Sequence, residues 1–78
     1  MTKGRVILKA LIAKRKLREI CNINEISYKF CHAVSEGNKN PSWELMDKFR
    51  FLIPVDYWFD EATGDFIKKV QSTIQNEN

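Results

Sequence analysis

Residues 35–45 read Ser35-Glu36-Gly37-Asn38-Lys39-Asn40-Pro41-Ser42-Trp43-Glu44-Leu45. Two helix boundaries stand back to back here. Gly37 supplies the left-handed residue that ends a helix. Asn40-Pro41 supplies the next start, because asparagine caps and proline loses nothing at a first helical position. Upstream, Ser27 suits an N-cap for a helix of eight to nine residues ending at Gly37. In that helix Cys31 and Val34 lie three apart, and Phe30 and Val34 four apart, so these three share an inward face. Tyr28, Lys29, His32 and Ala33 are left pointing elsewhere. Downstream, Leu45, Met46, Phe49, Leu52 and Ile53 repeat at helical spacing as far as Pro54.

The rest of the chain is also helical. Thr2 is placed to cap a first helix over residues 3–17, whose apolar stripe (Val6, Ile7, Leu8, Ala10, Leu11, Ile12, Ala13, Leu17) is very wide. Arg18 to Glu25 carries Ile20, Cys21 and Ile23 among helix-disfavouring asparagines, which predicts a short, irregular helix. Asp56 is placed to cap a short aromatic helix, DYWFDE, and Asp65 a last one with Phe66, Ile67, Val70 and Ile74 at intervals of three and four. Trp43, Trp58 and Phe59 read as core aromatics in preference to the alternative of an interface. No stretch reads as a strand pair. The expectation is one all-α domain, a compact bundle of five or six short helices. A domain over residues 1–62 is followed by a helical extension over 63–78.

Composition excludes several functions. The chain has 78 residues, two cysteines and one histidine. A secreted domain this small usually carries more cysteine, so a reduced, cytoplasmic setting is expected. Cys21, Cys31 and His32 make a poor zinc set, since 31 and 32 are adjacent and no fourth ligand stands out. Three glycines, at 4, 37 and 64, cannot build a phosphate loop. The lone histidine has no nucleophile motif beside it, so no enzyme activity and no cofactor are expected. No apolar run approaches the roughly eighteen residues of a membrane span, and the basic, apolar start reads as a helix of the mature protein.

Charge is uneven. Residues 1–39 hold nine Lys/Arg and three Asp/Glu, whereas residues 40–78 hold four and seven, within a net charge of +3. That asymmetry suits a basic face turned toward a polyanion, although the Lys14-Arg15-Lys16 run also suits a solvated helix end.

The stretch from Ser27 to Glu61 resembles the second half of the Cro/repressor-type helix-turn-helix domain. Gly37, Lys39, Asn40-Pro41-Ser42, Leu45, Phe49, Pro54 and Tyr57-Trp58-Phe59 carry the resemblance, and Leu8, Leu11 and Leu17 are similar to that family's first helix. Two departures accompany it. The segment between Leu17 and Ser27 is about two residues short, and Glu25 stands where the family has glycine.

The resemblance implies a lambda-repressor-like fold and a sequence-specific, repressor-like regulator of bacterial or phage type that binds double-stranded DNA. The helix near 27–36 would lie in the major groove. Lys29 would reach guanine or phosphate, Ala33 a thymine methyl, and Tyr28 and His32 would share that exposed face. Ser27, Asn38, Lys39 and Asn40 would hold phosphates, with Arg15 and Lys16 adding non-specific attraction. Tyr28 also suits the edge of the core, and His32 open solvent. Glu36 would weakly repel phosphate. Phe66, Ile67, Val70 and Ile74 offer a homodimer seam or a docking face, against the alternative that they fold back on their own core. A rival function keeps the scaffold but binds and modulates a partner repressor protein, with little DNA binding of its own.

Overall fold

The structure, a computed structural model, describes the backbone of residues 1–75 and the side chains of residues 1–72. Five α-helices and one 3-10 helix follow one another: α1 Lys3–Ala13, α2 Leu17–Ile23, α3 Tyr28–Ser35, α4 Trp43–Lys48, the 3-10 turn Val55–Trp58, and α5 Gly64–Gln75. Among the described residues the only β-type pairing is an isolated bridge between Thr2 and Glu61. The all-α expectation therefore holds.

The core forms because each helix turns its apolar stripe to one centre. Leu8, Leu17, Cys21, Cys31, Val34, Leu45, Phe49 and Ile53 are almost wholly excluded from solvent. In α1 the ambiguous stripe resolves toward Val6, Ile7, Leu8 and Leu11. Burying such side chains contributes about 1.5–3 kcal/mol each, which is what holds so small a bundle together. Trp58 comes in from the 3-10 turn and lies on α1 over Gly4. A β-carbon at Gly4 would stand 2.5 Å from the indole. The first residues are tied to the segment before α5: the Lys3 N–H donates to the Asp60 carbonyl at 2.8 Å, and the Ala62 N–H to the Met1 carbonyl at 2.9 Å.

Several boundaries differ from the sequence expectation. α1 stops at Ala13 and Leu17 opens α2. The cause is a left-handed Arg15, with φ 58°. The Arg15 N–H reaches the Ile12 carbonyl and the Lys16 N–H the Leu11 carbonyl, both at 2.9 Å. This is the paired helix stop usually built on glycine. Thr2 sits at the N-cap of α1 but makes no side-chain cap bond, and its hydroxyl is buried without a hydrogen-bond partner.

α4 is capped by Ser42, whose hydroxyl accepts from the Leu45 N–H at 3.1 Å, not by Asn40. Pro41 therefore lies before the cap and outside the helix, and α4 ends at Lys48, well before Pro54. Asp56 does not cap the 3-10 turn, which has no side-chain cap bond. α5 begins two residues earlier than a cap at Asp65 implies, with Thr63 accepting from the Phe66 N–H at 3.3 Å; Asp65 lies inside the helix. Of the aromatics expected in the core, Trp58 is buried, but Trp43 and Phe59 are 74% and 67% exposed.

Candidate nucleic-acid interface

α2 and α3 are joined by the four residues Asn24–Ser27, and this joint sets the aim of α3. α2 ends as α1 does. Glu25 takes φ 55°, its N–H reaches the Asn22 carbonyl at 3.3 Å, and the Ile26 N–H reaches the Cys21 carbonyl at 3.0 Å. Ile26 and Cys21 both enter the core, the apolar contact that accompanies such a stop. The position where the resemblance leads one to expect glycine thus has the left-handed backbone of a glycine, carried by a glutamate. Lys48 of α4 donates to the Glu25 carbonyl at 2.9 Å and pins the joint from outside.

α3 starts where Ser27 accepts from the Phe30 N–H at 3.2 Å. It ends at Gly37, with φ 83°, where the Gly37 N–H bonds the Val34 carbonyl at 3.1 Å and the Asn38 N–H the Ala33 carbonyl at 3.0 Å. Cys31, Val34 and Ser35 face inward, and Ser35 meets its hydrogen-bonding need on the His32 carbonyl at 2.6 Å. Phe30, expected in the core, is only partly buried against it. With that inner face fixed, the 100° step per residue turns Lys29, His32, Ala33 and Glu36 outward.

The sequence-derived candidates occupy different settings. Lys29 is exposed and Ala33 half-buried on the outer face of α3. Tyr28 and His32 are half-buried neighbours, with ring centroids 5.9 Å apart. The His32 Nδ1 lies 3.2 Å from the Glu36 carboxylate, so that acid is held beside the imidazole. Asn38, Lys39 and Asn40 are exposed in the turn after α3. Ser27 is exposed, but its hydroxyl oxygen serves the cap. Arg15 is exposed at the left-handed stop of α1, and Lys16 is half-buried before α2.

The α5 candidates lie on the helix that packs along α1. Phe66 meets Tyr57 edge-on at 5.6 Å, and the Lys3 ammonium sits over both rings. Phe66 and Val70 pack against the core. Ile67 lines a groove of about 440 Å³ between α1 and α5, with Val6, Ala10 and Ala13. The side chain of Ile74 lies outside the described residues.

Three cations matter that sequence reasoning passed over. Arg5 of α1 donates through Nη1 to the Val34 carbonyl and, at 3.0 Å, to the Lys39 carbonyl, so it fixes both the end of α3 and the turn beyond. Arg18 of α2 places its guanidinium 4.2 Å from the Tyr28 ring centroid, a cation–π contact across the joint. Lys48 holds Glu25. Two of the three grip backbone carbonyls 23 to 34 residues away, a partnership with no local sequence signal.

Cys21 and Cys31 meet inside the joint as free thiols. Burial pushes the Cys31 thiol up to about 12, with the adjacent Cys21 adding to the shift; burial also raises Cys21. Both are inert core groups at neutral pH. Among the described residues no cluster of three or more His, Cys, Asp or Glu could hold a metal ion, and no helix is long and apolar enough to cross a membrane. The chain matches no protein-family model, no curated protein and no solved structure.

Proposed function

We propose that this protein is a sequence-specific DNA-binding regulator of the Cro/repressor type, which acts by occupying an operator and needs no cofactor. The observation that carries the reading is the α2–α3 unit: two short helices on a tight four-residue joint with a left-handed Glu25, the second presenting Lys29 outward. Such a unit lays its second helix in the major groove, with the N-terminal residues nearest the bases. Lys29 then donates to guanine acceptors or phosphate, and Ala33 offers a methyl contact. The turn with Asn38, Lys39 and Asn40 follows the phosphate backbone and sets register without reading sequence. Arg15 and Lys16 add attraction that is sensitive to salt. One reading helix gives modest affinity, so a homodimer on a palindromic site fits this scheme.

A partner-protein reading competes with it. It is favoured by Phe51 and Phe59, each 67% exposed, and by Leu52, also exposed. Solvent-facing aromatics of this size are a feature of protein docking surfaces. In that reading the chain modulates another repressor and touches DNA weakly.

Selection from a pool of randomised duplexes separates the two. Enrichment of one motif by the wild-type protein supports the regulator. A pool that stays random after repeated rounds removes that function and leaves the partner reading.

A further inference from the structure

We infer that Arg18 is a phosphate-binding residue of the interface built on α3, and that Tyr28 is the platform that holds it there. The inference rests on the regulator reading and gives Tyr28 a positioning role in place of a base contact.

A measured contact places Arg18 at this interface. Arg18 belongs to α2, and Tyr28 is the first residue of α3. The Arg18 guanidinium stands 4.2 Å from the Tyr28 ring centroid. The next residue, Lys29, is exposed on the outer face of α3, so Arg18 lies at the Lys29 end of that helix. Tyr28 is itself held. It packs against the core and meets His32, one turn along, with ring centroids 5.9 Å apart. The platform is half-buried, while the cation on it is exposed.

Arg18 is fixed but unspent, which sets it apart from other placed cations. Arg5 and Lys48 donate to backbone carbonyls, and Arg50 lies 3.4 Å from the Asp47 carboxylate. Among the described residues Arg18 contacts only the ring: no carboxylate pairs with it and no acceptor takes its N–H groups. A ring holds a guanidinium through its charge, which leaves the five donors on its rim open. A planar fork of donors matches two oxygens of one phosphate. The surroundings have the same sign. Residues 14–29 hold five Lys/Arg against two carboxylates, Glu19 and Glu25, so a polyanion is drawn to this side of the joint. Holding the fork in advance lowers the entropy lost on binding. The contact reads no base. It therefore adds affinity on every sequence and displaces about one counterion.

The test uses the full chain, a motif-bearing duplex and a scrambled duplex, titrated at several salt concentrations. Arg18→Ala should weaken binding to both duplexes by about tenfold and lower the salt slope by about one. Arg18→Lys keeps the charge but not the fork, so it should restore the slope and only part of the affinity. Tyr28→Phe keeps the ring and should bind as wild type. Tyr28→Leu keeps an apolar cover on the core but removes the ring, and should weaken binding by about two- to fivefold. That loss should vanish when Arg18 is already alanine, because Tyr28 acts through Arg18. A purely structural role for Arg18 would change urea unfolding and leave the salt slope alone.

Unchanged affinity and slope in Arg18→Ala, with wild type still selecting its motif, overturns the inference and leaves the regulator reading intact. Loss confined to the motif-bearing duplex overturns it as well, since Arg18 would then read a base. Additive losses from Tyr28→Leu and Arg18→Ala overturn the positioning role of Tyr28. A wild-type protein that binds neither duplex overturns the inference and the regulator reading together.

Discussion

Replacing Glu25 by glycine should make this protein more stable, although glycine normally weakens a folded chain. Glu25 is held at φ 55° by the helix stop at the α2–α3 joint. For a residue with a β-carbon the left-handed region costs roughly 1–2 kcal/mol, against which glycine loses about 0.5–1 kcal/mol of extra chain entropy on folding. The Glu25 side chain is exposed, and the Lys48 contact goes to the backbone carbonyl, which the substitution retains. The balance is a gain of roughly 0.5–1 kcal/mol, equivalent to a Tm increase of about 2–8 °C in a domain of this size.

Thermal and urea unfolding followed by circular dichroism read this directly. Glu25→Ala is the control, since it removes the carboxylate but keeps the β-carbon. It should fall within about 0.5 kcal/mol of wild type. Equal stabilisation by alanine and glycine would trace the effect to charge and refute the backbone argument. Destabilisation by glycine would mean that the joint does not hold a left-handed residue at 25.

Three further outcomes are expected. Gly4→Ala should destabilise the fold by about 1–2 kcal/mol in urea unfolding, because a β-carbon 2.5 Å from the buried Trp58 ring overpacks the core by more than the roughly 1 kcal/mol that alanine gains in a helix; increased stability would contradict this packing. Arg5→Met should cost about 1–3 kcal/mol and speed amide exchange at Gly37 and Asn38, since the clamp on the Val34 and Lys39 carbonyls is lost; unchanged exchange there would show the clamp to be idle. Cys21 and Cys31 should resist a thiol reagent at pH 8 until urea unfolds the protein. Because folding raises both thiols, the stability they contribute is complete below pH 9.0 and declines as the pH rises toward about 12; a thiol reacting rapidly in the native protein would contradict their burial.

The helices were legible in the sequence because their signals are local. Ser27 caps α3 and Gly37 stops it as their chemistry requires, the apolar stripe of α1 faces inward at α-helical spacing, and Phe66 and Val70 of α5 pack against the core. The stops at Arg15 and Glu25 were not legible. Each makes the same backbone bonds as Gly37, but with a residue type that advertises no stop. The start of α4 was misread because Asn40-Pro41 and Ser42 are both good starts, and only packing decides between them. Starting at Ser42 turns Leu45 and Met46 inward and sends Trp43 into solvent. In the candidate interface, Lys29 and the turn from 38 to 40 could be picked by helical phase and resemblance. The clamps from Arg5, Arg18 and Lys48 could not, since their partners become neighbours only when α1, α2, α3 and α4 assemble.

The central claim is that α3 reads DNA through Lys29. The most direct measurement is a fluorescence anisotropy titration of wild type and Lys29→Ala against intergenic and random duplexes at two salt concentrations. The account requires wild-type binding that prefers particular intergenic sequences and weakens with salt, with the preference lost in Lys29→Ala. Binding no tighter to intergenic than to random DNA, and indifferent to Lys29, would contradict it and transfer the function of this scaffold to protein recognition.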